Sequence, residues 1–315
     1  MKKIKDYSPS DEATLVARLS DVQIKKTSAN ADYASMLVFD GDDTIEGKIW
    51  AFNDELKNKL VSGEVYVTTG RMKEYQGKMQ FNINDIRLTV EEDKIDLGQF
   101  YEFAKINVSD LQDLIEGYVS KITNTILKDI VVALLKKHYR EFFYHPAAVN
   151  MHHNYYSGLA YHTYSMLKLS DAYLEIYENL NRSLVYSGII LHDIGKVIEL
   201  SGPKGTEYTK VGNLIGHITI GSNEIYTVAN KLGYENSDEV LSLVHIILSH
   251  HGQLAYGSPK EPVIAEAALI HFLDLTDSKM AALDKELVKT NKGEFTNQVL
   301  SFDRRSFYIP DIEKW

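Results

Sequence analysis

The stretch "GIILHDIGKVIEL", Gly188 to Leu200, decides how the chain is read. Most of its residues are apolar, which predicts a helix drawn into a core. Yet His192 and Asp193 stand side by side in it, and Lys196 follows one turn later. Neighbours on a helix differ by about 100° in direction, so His192 and Asp193 could reach one metal ion together, or let the carboxylate bridge to a second. Lys196, at i+3 from Asp193, lies on nearly the same face, where it could bind a substrate phosphate or release a proton to a leaving group. The plainer alternative is a partly exposed Asp193–Lys196 ion pair, worth about a few tenths of a kcal/mol.

The histidines weigh against that alternative. All eleven lie beyond residue 137. Most recur as His152-His153, His162, His192-Asp193, His217, His250-His251 and His271-Phe272-Leu273-Asp274, on or beside different apolar segments. Helices packed in a bundle bring such side chains to one point. The chain has no cysteine, so any metal must be held by His, Asp or Glu. Imidazole and carboxylate donors without sulfur suit Mn²⁺, Fe²⁺, Co²⁺, Ni²⁺ or Zn²⁺ better than Ca²⁺ or Mg²⁺ alone.

Ahead of this region the pattern changes. Within residues 10–90, "TLVARLSDVQI" alternates, and "ASMLVF" and "TIEGKIW" flank the turn Asp40-Gly41-Asp42-Asp43 as in a hairpin. A short helical stretch, "FNDELKNKL", comes next, then "EVYVTTGRM" and "KMQFNINDIRL" around a turn at Gln76-Gly77. That order predicts a five-stranded OB-fold barrel, with other small barrels as the alternative. From Ser109 to Leu287 the text is helical. Ser109-Asp110-Leu111-Gln112 has the form of a capping box opening one long helix, or two joined end to end. The expected fold is therefore α+β and multidomain: an OB-fold β-barrel over 1–92, a helical linker over 93–145, an all-α helical bundle over 146–290 and a tail over 291–315.

Composition bounds the function. Of 315 residues, 44% are hydrophobic and 25% charged, the balance of a soluble globular protein. No apolar run approaches the roughly 20 residues that span a bilayer, so no membrane partner is expected. The opening MKKIKDYSPSDEAT lacks the apolar core of a signal peptide, and the absent cysteines fit a reducing, cytoplasmic setting. A net charge of −10 argues against indiscriminate coating of nucleic acid, while leaving room for a local basic groove. In the barrel, Trp50, Tyr66, Tyr75 and Phe81 lie among Lys48, Arg71, Lys73 and Lys78, candidates for stacking bases and following a phosphate backbone. Against that, an aromatic in a β-strand is more often a core residue than a binding one, and this holds for each of the four.

The ordered set His162, His192-Asp193 and Asp274 resembles the signature of the HD-domain metal-dependent phosphohydrolases, and "LHDIGK" is similar to its HDIG variant. The intervening His217 and His250-His251 resemble the subgroup that holds two metals. The resemblance implies one divalent ion on His162, His192, Asp193 and Asp274, and a second on His217, His250 and His251 with Asp193 as bridge. It implies Mn²⁺ or a similar ion, and a contact of Lys196 with substrate phosphate. His152 and His153 fall outside that set and are expected to line the pocket, while His271 is expected to be a packed helix residue.

A barrel followed by such a domain is similar in order to the YhaM-type 3′→5′ exoribonucleases of Gram-positive bacteria, and "HHNYYSGLAYHTYSML" resembles the same family. The implied activity is hydrolysis of single-stranded RNA, with single-stranded DNA an open alternative, to nucleoside 5′-monophosphates. Asp193 and Lys196 are then the catalytic candidates. Oligomeric state stays open; the resemblance is compatible with a homo-oligomer, for which the amphipathic 109–140 stretch is a candidate interface. Two other readings stay open. One is a phosphodiesterase of a small cyclic or signalling nucleotide with a regulatory barrel. The other is a non-enzymatic nucleic-acid adaptor, against which the complete ligand set counts.

Overall fold

The computed structural model describes residues 2–53, 56–57, 60–149, 153–204 and 206–313. The chain forms two compact units: Met1–Glu102 with Lys204–Thr206, and Phe103–Pro203 with Glu207–Trp315. Residues 93–102 are therefore part of the first unit, where the Tyr101 hydroxyl donates to the Gly63 carbonyl at 2.6 Å. Residues 103–145 are part of the second.

The first unit is a closed barrel of β1 (Glu12–Lys26), β2 (Asp32–Phe39), β3 (Thr44–Ile49), β4 (Val65–Tyr75) and β5 (Lys78–Leu88). Neighbours run β1-β2-β3-β5-β4 around the wall, with β3 and β5 parallel and the other pairs antiparallel. This is a barrel resembling the OB fold. The Asp40–Asp43 turn joins β2 to β3 in register, with Phe39 opposite Thr44. The β4–β5 turn has positive φ at both central residues, 50° at Gln76 and 74° at Gly77, which matches the twist of the strands it joins. Period-2 alternation turns Leu15, Ala17, Leu19, Met36, Val38, Met72 and Ile83 into the interior. Part of the short helix expected at 52–60 lies outside the described residues.

The second unit is helical: α1 (Val108–Lys121), α2 (Thr125–Lys137), α3 (Tyr139–Tyr144), α4 (Gly158–Ile176), α5 (Arg182–Leu191), α6 (Lys196–Glu199), α7 (Lys210–Ile215), α8 (His217–Leu232), α9 (Asp238–Ser249) and α10 (Ala265–Leu287). The expected box at Ser109 does not cap α1. Asn107 does, its side chain accepting from the Asp110 amide, and Asn124 caps α2 by accepting from the Leu127 amide. Either residue type fills that position; the chain breaks at Ile122 and each new helix takes its own asparagine. The apolar faces of α1 and α2, including Leu111, Ile115, Leu127, Ile130, Val131 and Leu134, lie in the core of this unit. They are not a free surface for an oligomer interface.

Helix α5 is central, packed against α2, α4, α9 and α10. Every residue from Ser183 to Leu191 is buried. A helix apolar on all sides needs neighbours on all sides. Over 295–308 the chain folds back on itself, with Phe295 bridged to Tyr308 and Val299 to Arg305. Among the described residues no helix is long and apolar enough to cross a membrane.

Candidate metal centre

The stretch that opened the reading is two short helices and a turn. Helix α5 ends at Leu191, His192 and Asp193 occupy the turn, and α6 begins at Lys196. Across the turn the backbone tightens to i→i−3 bonds, from Ile194 to Leu191 and from Lys196 to Asp193. A side chain at Gly195 would collide with the His217 carbonyl oxygen, so the glycine lets the start of α8 approach the turn. The turn keeps Lys196 one turn from Asp193, its amide donating to the Asp193 carbonyl at 2.9 Å.

Five histidines and two aspartates meet around that turn. Asp193 Oδ2 faces one group: His192 Nε2 at 3.2 Å and His162 Nε2 at 4.0 Å, with Asp274 Oδ1 3.3 Å from His162 Nε2. Asp193 Oδ1 faces the other: His217 Nε2 at 3.6 Å and His250 Nε2 at 3.7 Å, with a His251 nitrogen beside them. The side chains come from α4, the α5–α6 turn, the start of α8, the end of α9, and α10. The seven residues singled out for metal in the sequence are thus brought together.

Each ring is turned by a bond on its far side. Nδ1 lies 2.7 Å from the Ile189 carbonyl in His192, 2.7 Å from the Ile247 carbonyl in His250 and 2.8 Å from the Tyr256 carbonyl in His251. In His217 it lies 3.0 Å from Glu199 Oε1, and in His162 2.6 Å from Asp277 Oδ2. An acceptor at Nδ1 requires a proton there, which leaves Nε2 of all five as the atom directed inward. Glu199 also accepts from the His217 amide at 2.9 Å. Neither acid stands out in the sequence: Glu199 reads as an ordinary helix carboxylate, and Asp277 as one of several acids on an amphipathic helix. The spacing Asp274-x-x-Asp277, one turn on the same face, was the available signal.

The electrostatics differ between the groups. Burial favours a neutral Asp193, but the Lys196 ammonium and His192 outweigh it and hold the carboxyl well below the usual carboxylate range. Burial likewise opposes a charged His162, yet hydrogen bonds and charge from Asp274 and Asp277 push it up to about 10. His250 is moved the other way: burial takes it well below the ordinary imidazole value, and His251 and His192 add to this. Lys196 is held above its ordinary value, burial being overcome by Asp193 at 2.7 Å. The ion pair considered from sequence therefore exists, but it is buried inside the cluster.

The residues fit a cation. Asp193 Oδ1, His217 Nε2 and His250 Nε2 are buried and have no hydrogen-bond partner among the described residues. Such a lone pair costs about 1–3 kcal/mol to bury unmatched. A divalent ion would satisfy all three, and the nitrogen and oxygen donors suit a first-row transition ion.

Several expected residues lie elsewhere. His152 is outside the described residues. His153 is buried on the Nδ1 side of His162, where its Nε2 lies 2.8 Å from Asp277 Oδ2, so it backs the centre and does not line the pocket. His271 holds the His250 carbonyl through Nδ1 at 3.0 Å. In the barrel, Tyr66 and Phe81 are core residues and have no face to offer a base; inward register decides this. Trp50 is half exposed and stacks on Tyr33 with ring centroids 4.8 Å apart, its indole N–H donating to Asn82 at 3.1 Å. Lys48 Nζ lies 5.6 Å from the Trp50 ring and 5.8 Å from that of Tyr75. Tyr75, Lys73 and Lys78 are exposed on the β4–β5 hairpin, whereas Arg71 is paired with Glu12 at 2.8 Å. Tyr33 was missed. It precedes Ala34, which pairs with Ile49, so the register sets it opposite Trp50.

Residues 159–279 match the family described as HD domain, which indicates a metal-dependent phosphohydrolase. Among solved structures, the barrel is similar to the protein priB from Ralstonia solanacearum, at 16% identity over 25% of this chain and 97% of that one, with a TM-score of 0.22. A domain of replication protein A from Methanococcus maripaludis is 22% identical over 28% of this chain and 92% of that one, with a TM-score of 0.24. A mitochondrial single-stranded DNA binding protein from S. cerevisiae, Rim1, is 12% identical over 26% and 97%, with a TM-score of 0.22.

Proposed function

We propose that the chain, an HD domain behind an OB-like barrel, is a metal-dependent 3′→5′ exoribonuclease. It would hydrolyse single-stranded RNA, and single-stranded DNA as a second substrate, to nucleoside 5′-monophosphates. The observation that carries the reading is the convergence of four Nε2 atoms on the two oxygens of Asp193, with a His251 nitrogen beside those of His217 and His250. His162, His192, Asp193 and Asp274 would hold one ion and His217, His250 and His251 the other, with Asp193 shared; Mn²⁺ suits the donors. Two bound cations supply Lewis acidity at the scissile phosphate and a water of lowered pKa.

The chain's own groups do the rest. Lys196 is charged at neutral pH and sits against the Asp193 oxygen nearest His162 and His192. From there its ammonium would neutralise a phosphate oxygen of the substrate. Glu199 and the carbonyls of Ile189, Ile247 and Tyr256 keep the imidazoles in one tautomer, so no reorientation is needed when phosphate arrives. On the barrel, the Trp50–Tyr33 pair offers an aromatic face and Lys48, Lys73 and Lys78 offer charge, the combination that holds single strands without reading their sequence.

The test is incubation of 5′-labelled and 3′-labelled RNA with the purified chain and Mn²⁺. The expected result is a descending ladder from the 5′ label and immediate mononucleotide from the 3′ label, both lost by more than about 100-fold in Asp193→Asn. Trp50→Ala should slow a long strand far more than a dinucleotide. Equal effects on both would favour the small-nucleotide phosphodiesterase reading.

A further inference from the structure

A second set of buried side chains backs one half of the centre. Asp277, on α10, uses a single oxygen for two histidines: Oδ2 lies 2.6 Å from His162 Nδ1 and 2.8 Å from His153 Nε2. His153 in turn has its Nδ1 2.6 Å from the Tyr155 hydroxyl. The direction of each bond follows from what each group can donate. An ionised carboxylate only accepts, so both nitrogens facing Asp277 carry protons. His153, with its proton at Nε2, must accept at Nδ1 from the Tyr155 O–H. The reverse tautomer would set a nitrogen lone pair against a carboxylate.

The backbone is committed to this arrangement. His153 has φ of 55°, in the left-handed region that a non-glycine residue seldom adopts. Its carbonyl accepts from the Ala147 amide at 3.0 Å. The side chain is buried, with its ring centroid 5.3 Å from that of His162.

We infer that Tyr155, His153 and Asp277 form a positioning relay that fixes the ring of His162 with Nε2 toward Asp193 and Asp274, and so sets metal affinity in that half of the centre alone. The inference rests on the two-ion reading proposed above. Among the described residues, the rings of His217, His250 and His251 are oriented by other groups, Glu199 and the Ile247 and Tyr256 carbonyls. Asp277 is a positioning residue, since it acts only through His162.

The measurement is calorimetric titration of the full chain with Mn²⁺, with bound ion counted in parallel by electron paramagnetic resonance. The wild type should take up two ions. Asp277→Asn removes the charge that retains the proton at His162 Nδ1 and should weaken one ion by about 10–100-fold while leaving the other unchanged. Tyr155→Phe deletes only the outermost hydroxyl and keeps the ring, and should show a smaller loss at the same ion. This variant carries the test if Asp277→Asn does not fold. Wild-type affinity for both ions in the variants, or an equal loss for both, overturns the relay. A third ion bound by the wild type and lost in Asp277→Asn also overturns it, by making the three residues a metal site. A wild type that binds no Mn²⁺ removes the two-ion reading itself, a failure distinct from wild-type-like variants.

Discussion

At the scale of single residues, Asp193 and Lys196 carry the strongest consequence. Their ion pair, at 2.7 Å, stands where a cation would also compensate the aspartate. Breaking a buried pair by removing one partner leaves an uncompensated charge. Lys196→Met should therefore cost the metal-free chain about 3 kcal/mol of stability. With saturating Mn²⁺ the deficit should shrink, because the ions supply the missing positive charge. Denaturant unfolding of both proteins, with and without Mn²⁺, measures this. A deficit of the same size in both conditions would mean that Lys196 acts by packing only.

At the scale of elements, two features connect local sequence to the site. Gly195 allows the α5–α6 turn to lie against the first residue of α8. Gly195→Ala must push that contact apart, costing about 1–3 kcal/mol and moving His217 away from Asp193. The Mn²⁺ affinity of the His217 group should fall with stability, and a titration reads both. The second feature is Asp171 on α4, which accepts from the Tyr118 hydroxyl of α1 and the Tyr186 hydroxyl of α5, each at 2.8 Å. Burial first, then the hydrogen bond to Asp171, pushes Tyr186 up to about 12, and Tyr118 is raised by the same causes. A group whose folded pKa is raised stabilises fully below its unfolded value, about 10 for tyrosine, and loses that contribution as pH rises through the folded value. Thermal stability should therefore decline between about pH 10 and pH 12, and less steeply in Tyr186→Phe. Parallel curves for the two proteins would exclude the tie as the cause.

At the scale of the whole molecule, each unit has its own hydrophobic core. A unit with a core of its own can unfold as its own cooperative step. Calorimetry should resolve two transitions, of which Mn²⁺ raises only the one that removes helical circular dichroism. A free ion concentration of about 100 times Kd would add about 2.7 kcal/mol to that step for each ion bound. Two transitions rising together would show that the ions are felt in both cores.

The sequence by itself determined the class of both units and picked out the seven side chains that the fold brings together. Strand alternation and turn residues act over a few positions, so the barrel and its hairpin at Asp40–Asp43 were legible. A histidine or aspartate beside an apolar run carries its chemistry wherever the run folds, which is why the seven candidate residues stood out before their distances were known. Tertiary structure decided what depends on register and on contacts distant in the chain. It sent Tyr66 and Phe81 inward and paired Tyr33 with Trp50, since a strand's period of two does not say which face is core. It broke Gly188–Leu200 into two helices joined by a turn that lies against His217, and gave the apolar faces of α1 and α2 to the core. It also recruited Glu199 and Asp277, whose letters are common and whose partners are 18 and 115 residues away. A ligand is defined by its own atoms, but the group that orients it is defined by what packing brings to its far side.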